Sequence, residues 1–279
     1  MVTQRTLAGS TVLRGIGLHT GVPVSVELHP AAAGHGISFC RADLPDFAGI
    51  AAHPANVVST DRCTVLGQGG VSVRTVEHLM AAFYATGITN CKVIVSAEEL
   101  PVLDGSSLPY IEAIRSVGCL DQPYPARIAA VNAATLAESG KGLIAVAPSD
   151  GFSVTSVLSY PGTPVGVQIS EYVEGRDDFA SAVAPARTLG FTWEIDELLA
   201  RGLARGGSLE CAVVADESKY LTELRFEDEA ARHKILDTVG DLYLMGVPRM
   251  RVLCVRSGHR LNNELCLKLV QNGLLELPQ

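Results

Sequence analysis

The chain has 279 residues, 47% of them hydrophobic, and a formal net charge of −8. At roughly 150 residues per domain that length suggests two ordinary domains. The acidic balance, with no Lys/Arg cluster, excludes a nucleic-acid partner from the expectations.

In chain order, residues 1–50 hold alternating runs such as "VPVSVELHP" and "GISFCRA" with Gly and Pro between them, which predict strands and turns. "TVEHLMAAFYATGI", from Thr75, has helical spacing and ends at Gly87; the strand "CKVIVSA" follows. "SSLPYIEAIRSVG" predicts a second helix that stops near Gly118. "LDQPYPARIA", residues 120–129, has two prolines and little periodicity and is the expected linker. Strands are then expected at "LIAVAPS" and "FSVTSVLSY", helices at "TWEIDELLARG" and "EDEAARHKILDTVGDLYLMG", a strand at "RMRVLCVRSG" and a last helix at "NNELCLKLVQNG". Both halves mix strands with helices. The expected fold class is therefore α+β, in two domains of related layout, residues 1–121 and 127–279.

The seven cysteines, Cys40, Cys63, Cys91, Cys119, Cys211, Cys254 and Cys266, are odd in number and scattered, with no CxxC. That argues against a disulfide framework or a zinc ribbon and for a reducing, cytoplasmic setting. The N-terminal stretch lacks an apolar signal region, and no apolar run approaches the ~20 residues needed to cross a bilayer. No membrane insertion is expected.

Four pieces carry chemistry. In "RFEDEAARHKILDTVGDLYLMG", residues 225–246, His233, Asp237 and Asp241 recur every fourth residue. Residues four apart on a helix have Cβ atoms about 5–6 Å apart, so His233 and Asp237 can reach one metal. Asp241 lies about 12 Å along the axis from His233, too far to share that metal but placed to orient a neighbour. The plainer alternative is a solvated helix face with a His–Asp pair. "TVEHLM" sets Glu77 beside His78. His78 as third ligand would give two His and one carboxylate with an open position, and Glu77 would be the base beside it. The plainer alternative is a glutamate favouring the helix dipole next to a core histidine. "SGHRLNN" presents His259 after a glycine, and "PARTLGF" carries Thr188, a candidate oxyanion donor. Alone, either is weak.

Together these pieces are specific. "GIGLHTG", "TVEHL", "LDGSS", "ARTLGF", "GGS", "LRFEDEAARHKILDTVGDL" and "SGHRLNN" occur in this order and closely resemble the UDP-3-O-acyl-N-acetylglucosamine deacetylases, zinc amidases of lipid A biosynthesis. The resemblance covers nearly the whole chain. It implies two α+β domains, each a β-sheet with a helix layer, whose helix layers pack face to face around the active site. It implies Zn²⁺, with Fe²⁺ the alternative metal, on His78, His233 and Asp237. Glu77 matches the general base, His259 the second acid/base or electrostatic group, Asp241 the carboxylate that orients it, and Thr188 the oxyanion donor. Lys234 matches a residue at the nucleotide end of the substrate. An inserted βαβ unit, here 192–214, forms the acyl-chain passage, with Ile195, Gly207, Ser208, Ala212 and Val214 as lining residues. For the uridine, Tyr160 matches one aromatic position; Leu189 stands where phenylalanine is usual, so weaker stacking is expected. His19 and Cys63 are further substrate neighbours by the same resemblance. The implied reaction removes the N-acetyl group of UDP-3-O-(3-hydroxyacyl)-N-acetylglucosamine, in a monomer. Two other readings are a non-haem iron oxygenase, which leaves Glu77 and the His259–Asp241 pair without a role, and a nucleotide-sugar binding protein that has lost catalysis.

Overall fold

A computed structural model describes residues 2–44, 49–273 and 275–276. The N-terminal half runs β1 (Thr3–Leu7), β2 (Thr11–Ile16), β3 (Pro23–Pro30), β4 (Ile37–Arg41), β5 (Ile50–Ala51), β6 (Val57–Ser59), β7 (Val65–Gln68), β8 (Val71–Arg74), α1 (Glu77–Thr86), β9 (Cys91–Val95), α2 (Leu108–Val117) and β10 (Cys119–Pro125). The C-terminal half runs β11 (Ile128–Val131), β12 (Thr135–Ser139), β13 (Gly142–Pro148), β14 (Ser153–Tyr160), β15 (Gly166–Val173), α3 (Phe179–Ala182), β16 (Thr188–Phe191), α4 (Thr192–Ala200), β17 (Ala212–Ala215), α5 (Glu229–Tyr243), β18 (Val247–Val255), α6 (His259–Gln271) and β19 (Leu275–Glu276). The fold is α+β, as expected.

In the first half the main sheet has the order β2-β3-β9-β4-β5, with β6, β7 and β8 in a small antiparallel sheet. β3 has a period of two: Val24, Val26 and Leu28 are buried, and the residues between them are not. In the second half β18 is central, antiparallel to β13 and parallel to β14 and β11. Pro248, Met250, Val252 and Cys254 are its buried face, against exposed Arg249, Arg251 and Leu253.

The two helix layers meet at α1 and α5, which pack against each other. They meet closely: a β-carbon on Gly240 would lie 2.1 Å from the carbonyl oxygen of Glu77, so only glycine fits there. One buried apolar cluster runs without a break from Leu7 through Phe83, Leu236 and Val239 to Leu269. Among the described residues no helix is long and apolar enough to cross a membrane.

Three expectations need correction. Most of the expected linker, 120–129, is strand: β10 pairs with β1, and β11 begins at Ile128, leaving Ala126 and Arg127 between them. Pro123 and Pro125 are tolerated because β10 belongs to a two-stranded ribbon with a free edge. β15 was not expected, because its apolar alternation is inverted: Val167 and Ile169 are exposed while Ser170 is buried. The last helix starts at His259, a turn before the expected "NNELCLKLVQNG". The outermost residues of the expected domain ranges, residue 1 and residues 277–279, lie outside the described residues.

Candidate active site

The His/Asp/Asp stripe is not a solvated face. On α5, all residues from Ile235 to Tyr243 are buried, and so is His233. His233 Nδ1 donates to the Ala186 carbonyl at 3.0 Å, which leaves Nε2 as a lone-pair donor. Burial pushes this imidazole down to about 4, so it is neutral near pH 7. Nε2 stands 3.3 Å from Asp237 Oδ1, and His78 Nε2 from α1 stands 3.7 Å from the same oxygen. The His78 and His233 rings meet edge-on, centroids 5.1 Å apart.

The donor atoms of His78, His233 and Asp237 all lie within 4.8 Å of one another. Asp237 Oδ1 is buried and makes no hydrogen bond, while Oδ2 takes the Lys234 ammonium at 2.7 Å. Burial opposes ionisation of Asp237, but His233, Lys234 and His259 hold its carboxyl well below the usual range. An orphaned carboxylate oxygen facing two imidazole nitrogens is costly without a cation between them. The residues therefore fit a divalent metal.

Glu77, in the first turn of α1, lies beside this trio. Its Oε2 accepts from the Thr64 backbone N–H at 3.1 Å, and its Oε1 is 3.7 Å from His259 Nε2. Burial raises its pKa above the ordinary value, against the opposing pull of His259 and His78. Asp241, two turns beyond His233, faces away from the trio. It accepts from Thr64 Oγ1 at 2.5 Å, His259 Nδ1 at 2.9 Å and Asn262 Nδ2 at 2.9 Å. Burial works against a charged His259, but the carboxylates of Asp241, Glu77 and Asp237 outweigh it and push the imidazole up to about 10.

These groups open into a cavity of about 650 Å³. Glu77, His78, His233, Asp237, His259, Thr188 and Lys234 line its polar end. Ile195, Gly207, Ser208, Ala212, Val214 and Leu189 also line it, with Leu198 and Leu209. They come from β16–α4–β17, a βαβ unit whose strands pair in parallel. Thr188 is held in that strand by its N–H to the Gly105 carbonyl. The preceding Arg187 makes a buried ion pair with Glu229, 2.9 Å, which fixes the chain between the Ala186 carbonyl that orients His233 and Thr188.

The glycine motifs prove to be seams. A β-carbon on Gly105 would lie 1.7 Å from the Cys211 carbonyl oxygen, and one on Gly206 2.2 Å from that of Gly17. "LDGSS" and "GLHTG" are thus sewn to the βαβ unit. His19 lines the cavity, held by its N–H to the buried Glu99 carboxylate, and its Nε2 is buried without a partner.

Two candidates are not brought to the cavity. Cys63 is 1% exposed and outside the lining, its thiol pushed up to about 12 by burial. Tyr160 also lies outside it and packs on Phe191, centroids 5.0 Å apart. The aromatic ring in the lining is Phe191, stacked on Trp193 at 4.4 Å. Sequence reasoning missed it, although Leu189 and Phe191, two apart on one strand, share a face. It also missed Thr64, which carries no signal beyond being polar between Cys63 and Val65, and Asn262, which lies within "SGHRLNN" but was given no role.

Hydrolysis assisted by a metal is the chemistry that two imidazoles, one carboxylate and an adjacent acid/base pair can perform. Fold and site thus define a metal-dependent hydrolase. Comparison with known proteins narrows the class: the model of the LpxC family, UDP-3-O-acyl N-acetylglycosamine deacetylase, matches residues 4–271. Curated UDP-3-O-acyl-N-acetylglucosamine deacetylases are similar throughout. That of Myxococcus xanthus is 39% identical, covering 96% of this chain and 87% of the relative. Those of Anaeromyxobacter dehalogenans and Nitrosococcus oceani are each 41% identical, covering 96% and 97% of this chain and 87% and 90% of the relatives. The chain belongs to this deacetylase family.

Proposed function

We propose that the family's reaction, deacetylation of UDP-3-O-acyl-N-acetylglucosamine in lipid A biosynthesis, is carried out in this cavity with Zn²⁺ held by His78, His233 and Asp237. The observation that carries the assignment is the unpartnered Asp237 Oδ1 between two imidazole nitrogens, with Glu77 and His259 beside it. Zinc bound there would polarise the acetamide carbonyl and acidify a water. Glu77, through Oε1, takes the proton of the attacking water. Thr188 donates to the developing oxyanion. His259, kept cationic by Asp241, stabilises that charge and stands ready to protonate the leaving 2-amino group, a step Glu77 can also perform. Acetate and UDP-3-O-(3-hydroxyacyl)-glucosamine leave.

The apolar arm of the cavity, around Ile195, Ala212 and Val214, takes the 3-O-acyl chain. Lys234, His19, Leu189 and Phe191 serve the nucleotide sugar. The division into residues 1–121 and 127–279, a monomeric state and a cytoplasmic location are parts of the same proposal. The pairing of β10 back onto β1 supports the boundary, since it closes the first half before β11 starts the second.

The test is deacetylation of a UDP-3-O-acyl-GlcNAc substrate with and without chelator, alongside metal analysis. Chelator-sensitive acetate release with stoichiometric zinc is expected. Stoichiometric iron would make Fe²⁺ the resident metal, and O₂ consumption without acetate release would favour an oxygenase.

A further inference from the structure

We propose that Thr64 is a positioning residue that sets the general base and His259 against each other across the seam between the two halves. The inference rests on the deacetylase reading above but assigns a residue that reading does not use.

Thr64 is 1% exposed and precedes β7. Its backbone and its side chain serve different groups. The N–H donates to Glu77 Oε2 at 3.1 Å, and Oγ1 donates to Asp241 Oδ1 at 2.5 Å. The direction of the second bond follows from the partners. The hydroxyl is the donor and the carboxylate oxygen the acceptor, so the hydroxyl proton points at Asp241. His259 Nδ1, 3.3 Å from the same hydroxyl, donates to Asp241 Oδ2 at 2.9 Å.

Two consequences follow. With Thr64 holding Oδ1, the Asp241 carboxylate is turned so that Oδ2 faces His259 and Asn262. That fixes the imidazole so that Nε2 lies 3.7 Å from Glu77 Oε1. With Oε2 taken by the Thr64 amide, Glu77 has Oε1 as its free oxygen. One residue of the N-terminal half therefore directs the base on α1 and, through Asp241 on α5, the histidine on α6. Arg62, two residues earlier, has φ 65°, a left-handed conformation uncommon for a side-chain-bearing residue. It turns the chain inward just before Cys63 and Thr64, which are both buried.

The experiment compares Thr64→Val and Thr64→Ser in metal-loaded full-length enzyme. Thr64→Val keeps shape and loses the donor; its kcat is expected to fall about 10–100-fold, with KM and metal content unchanged. Thr64→Ser restores the hydroxyl and should recover most of that loss. In an Asp241→Asn background the Thr64→Val effect should shrink, because the hydroxyl acts through Asp241. Should Thr64→Val fail to fold, Thr64→Ala, which only removes atoms, carries the same measurement. Unchanged kcat, a loss seen in KM instead, a serine variant as impaired as the valine one, or an undiminished effect beside Asp241→Asn would each overturn the assignment. Wild-type turnover in the same assay secures the reaction itself, so such a result would count against Thr64 alone.

Discussion

Gly240 of α5 and Glu77 of α1 meet backbone to backbone: a β-carbon on Gly240 would stand 2.1 Å from the Glu77 carbonyl oxygen. This contact sets how far His78, on α1, lies from His233 and Asp237, on α5. Gly240→Ala should force the helices apart, costing about 1–3 kcal/mol or more in stability. It should also weaken metal binding, because one ligand moves relative to two. Denaturation and metal titration of the variant check both; unchanged metal affinity would separate the helix spacing from the ligand geometry.

Metal content should sort the stripe. His233→Ala and Asp237→Ala should be purified without stoichiometric metal and without activity. Asp241→Ala should keep its metal, since its oxygens are taken by Thr64, His259 and Asn262. A metal-free Asp241→Ala beside a loaded Asp237→Ala would reverse this order and refute the ligand set.

The apolar arm should appear in substrate dependence. Burial contributes about 0.8 kcal/mol per CH₂, so removal of the 3-O-acyl group should lower kcat/KM steeply. A bulky residue at Ala212 or Gly207 should impair long-chain substrates more than short ones. Equal turnover of acylated and unacylated UDP-GlcNAc would leave the arm without a role.

Stability of the metal-free protein should peak near neutral pH. His233 is lowered from its ordinary 6.5 to about 4, so the unfolded chain binds a proton the folded one does not; stability is lost as pH falls from 6.5 towards 4. His259 is raised to about 10, so its contribution is complete below 6.5 and is lost as pH rises through about 10. Glu77, raised by burial, has the opposite sign to His233 on the acid side. Comparison with His233→Ala therefore isolates the histidine: chemical denaturation should show a flatter acid limb in that variant. In the metal-loaded enzyme Asp241→Asn should shift the basic limb of the pH–rate profile to lower pH, because it removes the carboxylate that favours the imidazolium.

Much of the site was legible in the sequence because it is local. Helical spacing puts His233, Asp237 and Asp241 on one face and Glu77 and His78 are chain neighbours, while the roles given to them came from the family resemblance. The α+β class followed from the alternation of strand and helix periods. The strands lost to sequence reasoning were those whose patterns mislead, such as β15 with its apolar residues outward and β10 with its prolines.

The sequence by itself determined which donors exist and how they are spaced on their own helices. The tertiary structure alone decided their partners. Thr64 and Asp241 are 177 residues apart, and they meet only in the folded chain, where α1 and α5 pack together. Cys63 and Thr64 are both buried, and it is Thr64 that lies between two carboxylates. Packing of β16 turns Phe191 into the cavity lining and leaves Tyr160 behind it. Periodicity specifies a face of one element; which group that face meets depends on how two elements are brought together, and no local pattern encodes that.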